Sequence, residues 1–173
     1  MKSRRTLLMA CTLSLILLLG FAASASASGR TSVGAFVGSK YEGGAADVGL
    51  ELEYRFDNGF AIVAAGGVTL LKGEAEATAE PAISIGLYNA ALGARYYFLL
   101  GQFNPFIGIN GTALIASAMG ITVTVPGVQA TAGLEMMLNR IRIAGEVGYG
   151  TVFLEEKLQP GALVYGASLG YCF

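Results

Sequence analysis

The side chains most able to do chemistry are carboxylates and arginines that recur at alternate positions of apolar segments. Paired carboxylates could act as acid and nucleophile on a glycosidic bond, whereas Arg–Glu pairs form strong charge-assisted hydrogen bonds in confined spaces. The set comprises Glu51, Glu53, Arg55, Arg95, Glu135, Arg142 and Glu146. The choice between these two uses depends on the elements that position the residues.

The absence of histidine limits the remaining chemistry. It excludes Ser–His–Asp triads, His-ligated metal centres and the HExxH motif. The glycine-rich segments AAGGVT and GEVGYG lack the lysine and the spacing of a phosphate-binding loop. We therefore expect no catalytic residues, no metal and no cofactor, and we predict that the protein is not an enzyme.

The first 27 residues are typical of a secretory signal peptide. Lys2, Arg4 and Arg5 form a positive start, residues 6–23 carry no charge, and the small-residue tail ASASAS follows. We expect cleavage after Ala27, which leaves residues 28–173 as the mature domain. An uncleaved N-terminal membrane helix is the alternative.

The two cysteines predict no disulfide. Cys11 lies near the start of the uncharged stretch, before most of the apolar run, which argues against a lipoprotein cysteine. Cleavage would leave only Cys172, so an intrachain disulfide and a CxxC motif are both excluded.

The composition does not suit a water-facing surface. The chain of 173 residues is 54% hydrophobic and only 13% charged, with a mean hydropathy of +0.59, whereas soluble domains carry about 25% charged residues. Residues 28–173 hold eight basic and twelve acidic residues, a net charge of −4. They therefore lack the basic surface that nucleic-acid binding requires.

The exported part reads as strands with a period of two. In Asp47–Phe56 apolar residues alternate with Asp, Gly, Glu and Arg, the turn signal Asp-Asn-Gly follows, and a second apolar run begins at Phe60. The same alternation recurs along the chain. We predict eight strands, at about 32–39, 46–56, 60–71, 82–98, 104–116, 121–138, 140–152 and 161–173.

These strands predict an all-β, eight-stranded antiparallel up-and-down transmembrane β-barrel. In lipid a sheet must close on itself to satisfy its backbone hydrogen bonds. The apolar face would contact lipid, and the seven charged residues would face the lumen. Opposite charges there should pair, because an unpaired buried charge is costly. We expect an Arg–Glu network that plugs or constricts the lumen.

The mature chain resembles the small eight-stranded outer-membrane barrels of Gram-negative bacteria, of the OmpA and OmpX type. The C-terminal Phe173 carries the resemblance, with Tyr165, Leu169 and Tyr171 on the same face, together with the segments GARYYF and NPFIGING. It implies an outer-membrane location, contact with lipid, and recognition of those four residues by the barrel-assembly machinery. We expect a monomer without the periplasmic domain of full OmpA.

Two other architectures compete with the barrel. Phe106–Val125 is 20 residues without a charge, long enough for a membrane helix and hence for a polytopic helical protein. Against this, the segment contains several glycines and the β-prone sequence ITVTV. The other competitor is a soluble lipocalin-like barrel, which would need an apolar lumen and a polar exterior.

We expect a structural, envelope-integrity or surface-interaction role, with a narrow channel for small or hydrophobic solutes as the alternative. The acidic segment Lys72–Glu80 is expected to be a solvated loop. The apolar region 113–125 would suit a partner or a hydrophobic solute if it projects above the membrane.

Overall fold

Nine β-strands form the described part of the computed structural model, which covers residues 29–39, 45–70, 86–118, 121–154 and 157–173. They are β1 (Gly29–Ser39), β2 (Ala46–Phe56), β3 (Phe60–Leu70), β4 (Gly86–Tyr97), β5 (Phe103–Ala118), β6 (Ile121–Leu138), β7 (Ile141–Leu154), β8 (Lys157–Leu158) and β9 (Ala162–Cys172).

Eight of these strands close into an antiparallel barrel. Strands β1 to β7 each pair with the next, and β9 pairs with both β7 and β1. The two-residue β8, which the sequence did not predict, extends the pairing of β7 near its end. The predicted barrel is confirmed, with strand ends within a few residues of those expected. The expected strand positions 71 and 82–85 lie outside the described residues, as does the loop 72–80.

The two faces of the barrel differ sharply in polarity. Leu50 and Leu92 on the outer wall are 62% and 65% exposed, whereas Glu53, Glu135 and Arg142 on the inner wall are at most 1% exposed. This is the opposite of a lipocalin-like barrel with an apolar lumen. Because such an exterior is poorly solvated by water but well solvated by lipid, the fold is that of a membrane barrel.

The region considered as a membrane helix is β-structure. Residues 106–118 belong to β5 and residues 121–125 to β6, which pair along their whole lengths. The helical alternative is therefore wrong. Within the described ranges, no helix has the length and apolar character needed to cross a membrane.

Short turns join the strands at one end of the barrel, where Gly29 and Phe173 also lie. Two of these turns contain a residue with positive φ, Gly59 at 83° and Asn139 at 57°, values that favour Gly and Asn. Aromatic pairs stack edge-to-face on the outer wall at this end, which is typical of a membrane interface. The pairs are Tyr54–Phe56, Tyr96–Phe98 and Tyr171–Phe173.

At the opposite end, β5 and β6 agree with the expected strands at about 104–116 and 121–138 to within two residues. β5 runs on to Ala118, and β6 begins at Ile121. The reason is that no charged residue or proline interrupts this stretch before Pro126. The two strands therefore form a long hairpin, paired from Phe103 with Met136 to Ala118 with Ile121.

Pro126 ends the pairing between β6 and β7. The last β6–β7 pair is Gly127 with Val152, because proline has no N–H to donate to the next position. Beyond it, among the described residues, β6 pairs with β5 alone. The β6 face that carries polar residues nearer the short turns becomes apolar beyond Pro126, where Val123 and Ile121 are 53% and 69% exposed.

The lipid-facing wall makes a testable prediction. Leu92 lies near the middle of β4, so Leu92→Arg should lower the free energy of unfolding by about 2–4 kcal/mol, because a cation at the midplane is poorly solvated. Leu70→Arg, at the loop end of β3, should lower it by only about 0–1 kcal/mol. Urea unfolding from lipid vesicles measures both values. Equal losses would contradict the assignment of this wall to lipid.

Candidate functional site

The lumen network is the set of seven charged residues singled out from the sequence. They lie on β2, β4, β6 and β7, and the alternation of each strand turns them inward. The structure brings all seven together in one continuous group of ion pairs, although their strands are widely separated in sequence.

Glu135 lies at one end of the lumen network and has no exposed surface. It accepts hydrogen bonds from Arg55 Nη1 and Arg142 Nε, each at 2.8 Å. Asn104 Nδ2 donates a further hydrogen bond at 2.8 Å. Two guanidinium groups and one amide thus converge on a single carboxylate, which compensates for its burial.

Glu53 lies beside the same arginines. It accepts hydrogen bonds from Arg55 Nη2 at 2.7 Å, from Arg95 Nη1 at 3.0 Å and from the hydroxyl of Tyr97 at 2.7 Å. The guanidinium of Arg55 also stacks over the Tyr97 ring, 3.5 Å from its centroid. Tyr97 therefore takes part in the network both as a donor and as an aromatic surface.

Glu51 and Glu146 complete the network on the side nearer the loops. Glu51 accepts from Arg95 Nη2 at 2.8 Å and from Arg142 Nη1 at 2.6 Å. Glu146 accepts from Arg95 Nη2 at 3.0 Å, and its side chain is 25% exposed. It is the least buried member of the network.

Three participants were not in the predicted set. Asn104 and Tyr97 donate hydrogen bonds to Glu135 and Glu53, and the Phe106 ring lies 5.0 Å from the Arg95 guanidinium. Strand alternation had placed Tyr97 on the lumen face. Its role was missed because an aromatic residue suits either face of a membrane barrel.

Among the described residues, the network carboxylates are held in ion pairs and are not free to act as the acid and nucleophile of glycoside hydrolysis. Each of the four network carboxylates accepts from at least one arginine, and three are almost fully buried. No group of three or more potential metal-ligating side chains occurs in the part of the chain that the structure describes. The arrangement instead fills the lumen with paired charge.

A smaller polar cluster lies between the lumen network and the loops. Asn89 Nδ2 donates to Asp47 Oδ1 at 2.9 Å, and the hydroxyl of Thr69 donates to the same oxygen. Here β2, β3 and β4 each contribute one side chain. The cluster therefore ties three neighbouring strands together above the network.

The C-terminal residues lie apart from the lumen. Tyr165, Leu169, Tyr171 and Phe173 all point outward from β9 or its end and are exposed. Arg140, in the turn before β7, donates a hydrogen bond to the Tyr171 hydroxyl at 3.1 Å. This bond raises the pKa of Arg140 above its usual value.

Solved structures similar to this chain are small outer-membrane barrels. The N-terminal β-barrel domain of OprF from Pseudomonas aeruginosa aligns with a TM-score of 0.61 and 13% identity, covering 83% of this chain and 97% of that domain. OprG from the same organism aligns with a TM-score of 0.54 and 15% identity, covering 85% of this chain and 96% of that protein. Neisserial surface protein A aligns with a TM-score of 0.53 and 14% identity, covering 83% of this chain and 94% of that protein.

These likenesses show the fold alone because the identities are low. They confirm the predicted resemblance to small eight-stranded outer-membrane barrels at that level. No protein-family model and no curated protein matches the sequence.

The buried network predicts unequal effects of removing single charges. Glu135→Gln should lower the free energy of unfolding by about 3–5 kcal/mol, because it leaves Arg55 and Arg142 without a central counter-charge. Glu146→Gln should cost much less, since Glu146 is partly exposed and Arg95 keeps Glu51 and Glu53. Urea unfolding in the same lipid measures both variants. A loss from Glu146→Gln as large as that from Glu135→Gln would contradict this description.

Proposed function

We propose that this protein is a closed outer-membrane β-barrel with a structural or surface-interaction role in the cell envelope, and that it is not an enzyme. The observation that carries the proposal is the lumen network. Three arginines and four glutamates fill the interior with mutual ion pairs. A lumen occupied in this way serves a stable wall better than an open pore.

The outer-membrane location rests on the exterior and on the fold. Large apolar side chains are exposed around the wall, and aromatic pairs lie at its short-turn end. One of the similar structures described above, OprG, is an outer membrane protein by name. Lipid is therefore the partner that the exterior fits.

Export and assembly complete the proposal. Residues 1–27 act as the signal peptide, residues 28–173 form the barrel, and the machinery that assembles such barrels recognises Tyr165, Leu169, Tyr171 and Phe173. Their exposure on the outer face of β9 supports this role. Among the described strands, the pairing of β9 with β1 closes the barrel wall, which favours a monomer.

Planar-bilayer conductance of the refolded mature chain tests the closed lumen. We expect stable insertion without discrete openings, because the paired charges of the lumen network occupy the interior. Heat-modifiable mobility on a gel confirms folding in the same preparation. Regular openings of the wild-type protein would overturn the closed-barrel role.

The alternative is a narrow channel for small or hydrophobic solutes. One observation favours it: the described network consists of side chains alone, which rearrange more readily than a backbone plug. Under this alternative the wild-type chain conducts, and Arg95→Ala alters or abolishes the openings. Under the closed-barrel role the wild-type chain does not conduct and only Arg95→Ala leaks. The conductance recordings therefore distinguish the two roles.

The assembly role makes a separate prediction. Phe173→Ala should slow assembly in cells several-fold while leaving the unfolding free energy of the refolded barrel changed by less than about 1 kcal/mol, because Phe173 is 73% exposed. Phe98→Ala removes a similar exposed aromatic from the same end and serves as the control. Assembly of both variants at the same rate would contradict the assignment. Pulse-chase measurement of the heat-modifiable form gives the rates.

A further inference from the structure

The end of β6 farthest from the short turns forms an exposed strand edge, which we call the β6 edge (Ile121–Val125). On one side it pairs with β5. Among the described residues no strand lies on its other side, because pairing with β7 stops at Gly127. Thr122, Val123 and Thr124 are exposed there. A sheet edge of this kind is a template for a further strand.

The register shows which backbone groups line the β6 edge. Met137 donates its N–H to Gln102 on the β5 side, and the pairing with β5 continues without a break from there. Backbone groups point alternately to the two sides of a strand, so the odd-numbered residues of β6 bond to β5. The N–H and C=O groups of Thr122 and Thr124 therefore point away from β5. Pro126 shares their direction and has no N–H, at the place where pairing with β7 ends.

The outward face of β6 indicates that the edge lies beyond the lipid. Near the short turns this face carries Leu138 and Leu134, which are exposed to the hydrocarbon. Beyond Pro126 the same face carries Thr124 and Thr122. Because lipid cannot hydrogen-bond to unpaired backbone groups, a strand edge of this kind has to lie in water.

The sequence of the β6 edge is symmetric about Val123. When two copies pair antiparallel around Val123, Ile121 lies opposite Val125. Thr122 then lies opposite Thr124, and their backbone groups hydrogen-bond to each other. Apolar side chains meet apolar ones and hydroxyls meet hydroxyls, which is favourable across a strand pair.

Electrostatics do not oppose such a pair. Residues 96–134 carry no charge, whereas protected sheet edges commonly carry charges that repel another strand. The β6 edge therefore lacks that protection, and a second copy meets no like charge along it.

We propose that the β6 edge binds the β6 edge of a second copy in a facing membrane. Within one membrane β6 runs from the loop end to the short-turn end in every copy, so only an inverted copy pairs antiparallel. The β6 edge offers five residues a side, whereas a stable interface uses about 20–30. One contact is therefore weak, and many of them together hold two surfaces. The barrel stays a monomer within its own membrane.

Disulfide formation between nanodiscs that each hold one refolded mature chain tests the pairing, because both faces of a nanodisc are accessible. Every variant also carries Cys172→Ser, and oxidised glutathione is the oxidant. Two Val123→Cys chains place their Cα atoms about 4.5 Å apart, within the range of a disulfide. Ile121→Cys is the matched control, since its counterpart in the second copy lies about 14 Å away.

The proposal specifies the order of the rates. Val123→Cys should form the covalent dimer at least about tenfold faster than Ile121→Cys. A mixture of Ile121→Cys and Val125→Cys chains should link at a rate comparable to that of Val123→Cys. Equal rates for the two single variants, or linking only when two copies share one nanodisc, would overturn the proposal. The absence of any dimer would also overturn it and leave the edge to a strand of another protein.

A backbone variant separates strand pairing from mere contact. Thr124→Pro removes an N–H that points away from β5, so the hairpin stays paired. Added to Val123→Cys, it should slow dimer formation about tenfold, because each copy loses a hydrogen bond. Thr124→Val keeps the backbone groups and should change the rate by less than about twofold. Equal effects of the two substitutions would contradict pairing through the edge.

The inference rests on the proposed surface-interaction role, and the two fail separately. Heat-modifiable mobility verifies the fold of each variant. A folded, non-conducting barrel whose Val123→Cys chains do not link overturns the β6 edge alone. Regular openings of the wild-type chain instead overturn the closed-barrel role.

Discussion

A buried charge must be compensated, and this constraint organises the interior of the barrel. Glu53 and Glu135 lie almost without solvent contact among the arginines of β2, β4 and β7. Such groups are tolerated only when their partners are held in place, because an unpaired ion in a low-dielectric interior is highly unfavourable. The strands that carry them must therefore keep one register around the whole circumference.

The exterior obeys a complementary constraint. Every backbone group that faces lipid must be hydrogen-bonded within the protein, so the sheet has to close through the pairing of β9 with β1. Closure and strand alternation together force polar residues inward. The lumen network and the apolar wall are thus two consequences of one period-two pattern.

The strands and the direction in which their side chains face could largely be predicted from the sequence. The alternation in segments such as Asp47–Phe56 fixes both the strand and the direction of each side chain, which is why the lumen face was predicted. The β5–β6 hairpin was predicted to within two residues, but the point at which β6 stops pairing with β7 was not. Pro126 was the available signal for that point, since proline cannot continue a ladder on both sides.

The pairing inside the lumen lies beyond what one sequence specifies. Arg142 and Glu51 are 91 positions apart, and they meet only because side chains from different strands extend into the same lumen. Tyr97 follows Tyr96 in the chain, but one faces the network and the other faces lipid. Residue type alone does not distinguish them. The partner of each side chain depends on barrel closure and on the registers of all eight strands.

The central claim is that these charges act as one coupled set. A double-mutant cycle with Glu135→Gln and Arg142→Gln, measured by urea unfolding in lipid vesicles, tests it most directly. We predict that the double variant loses less stability than the sum of the two single losses, with a coupling of about 1–3 kcal/mol. Simple additivity of the two losses would contradict the account.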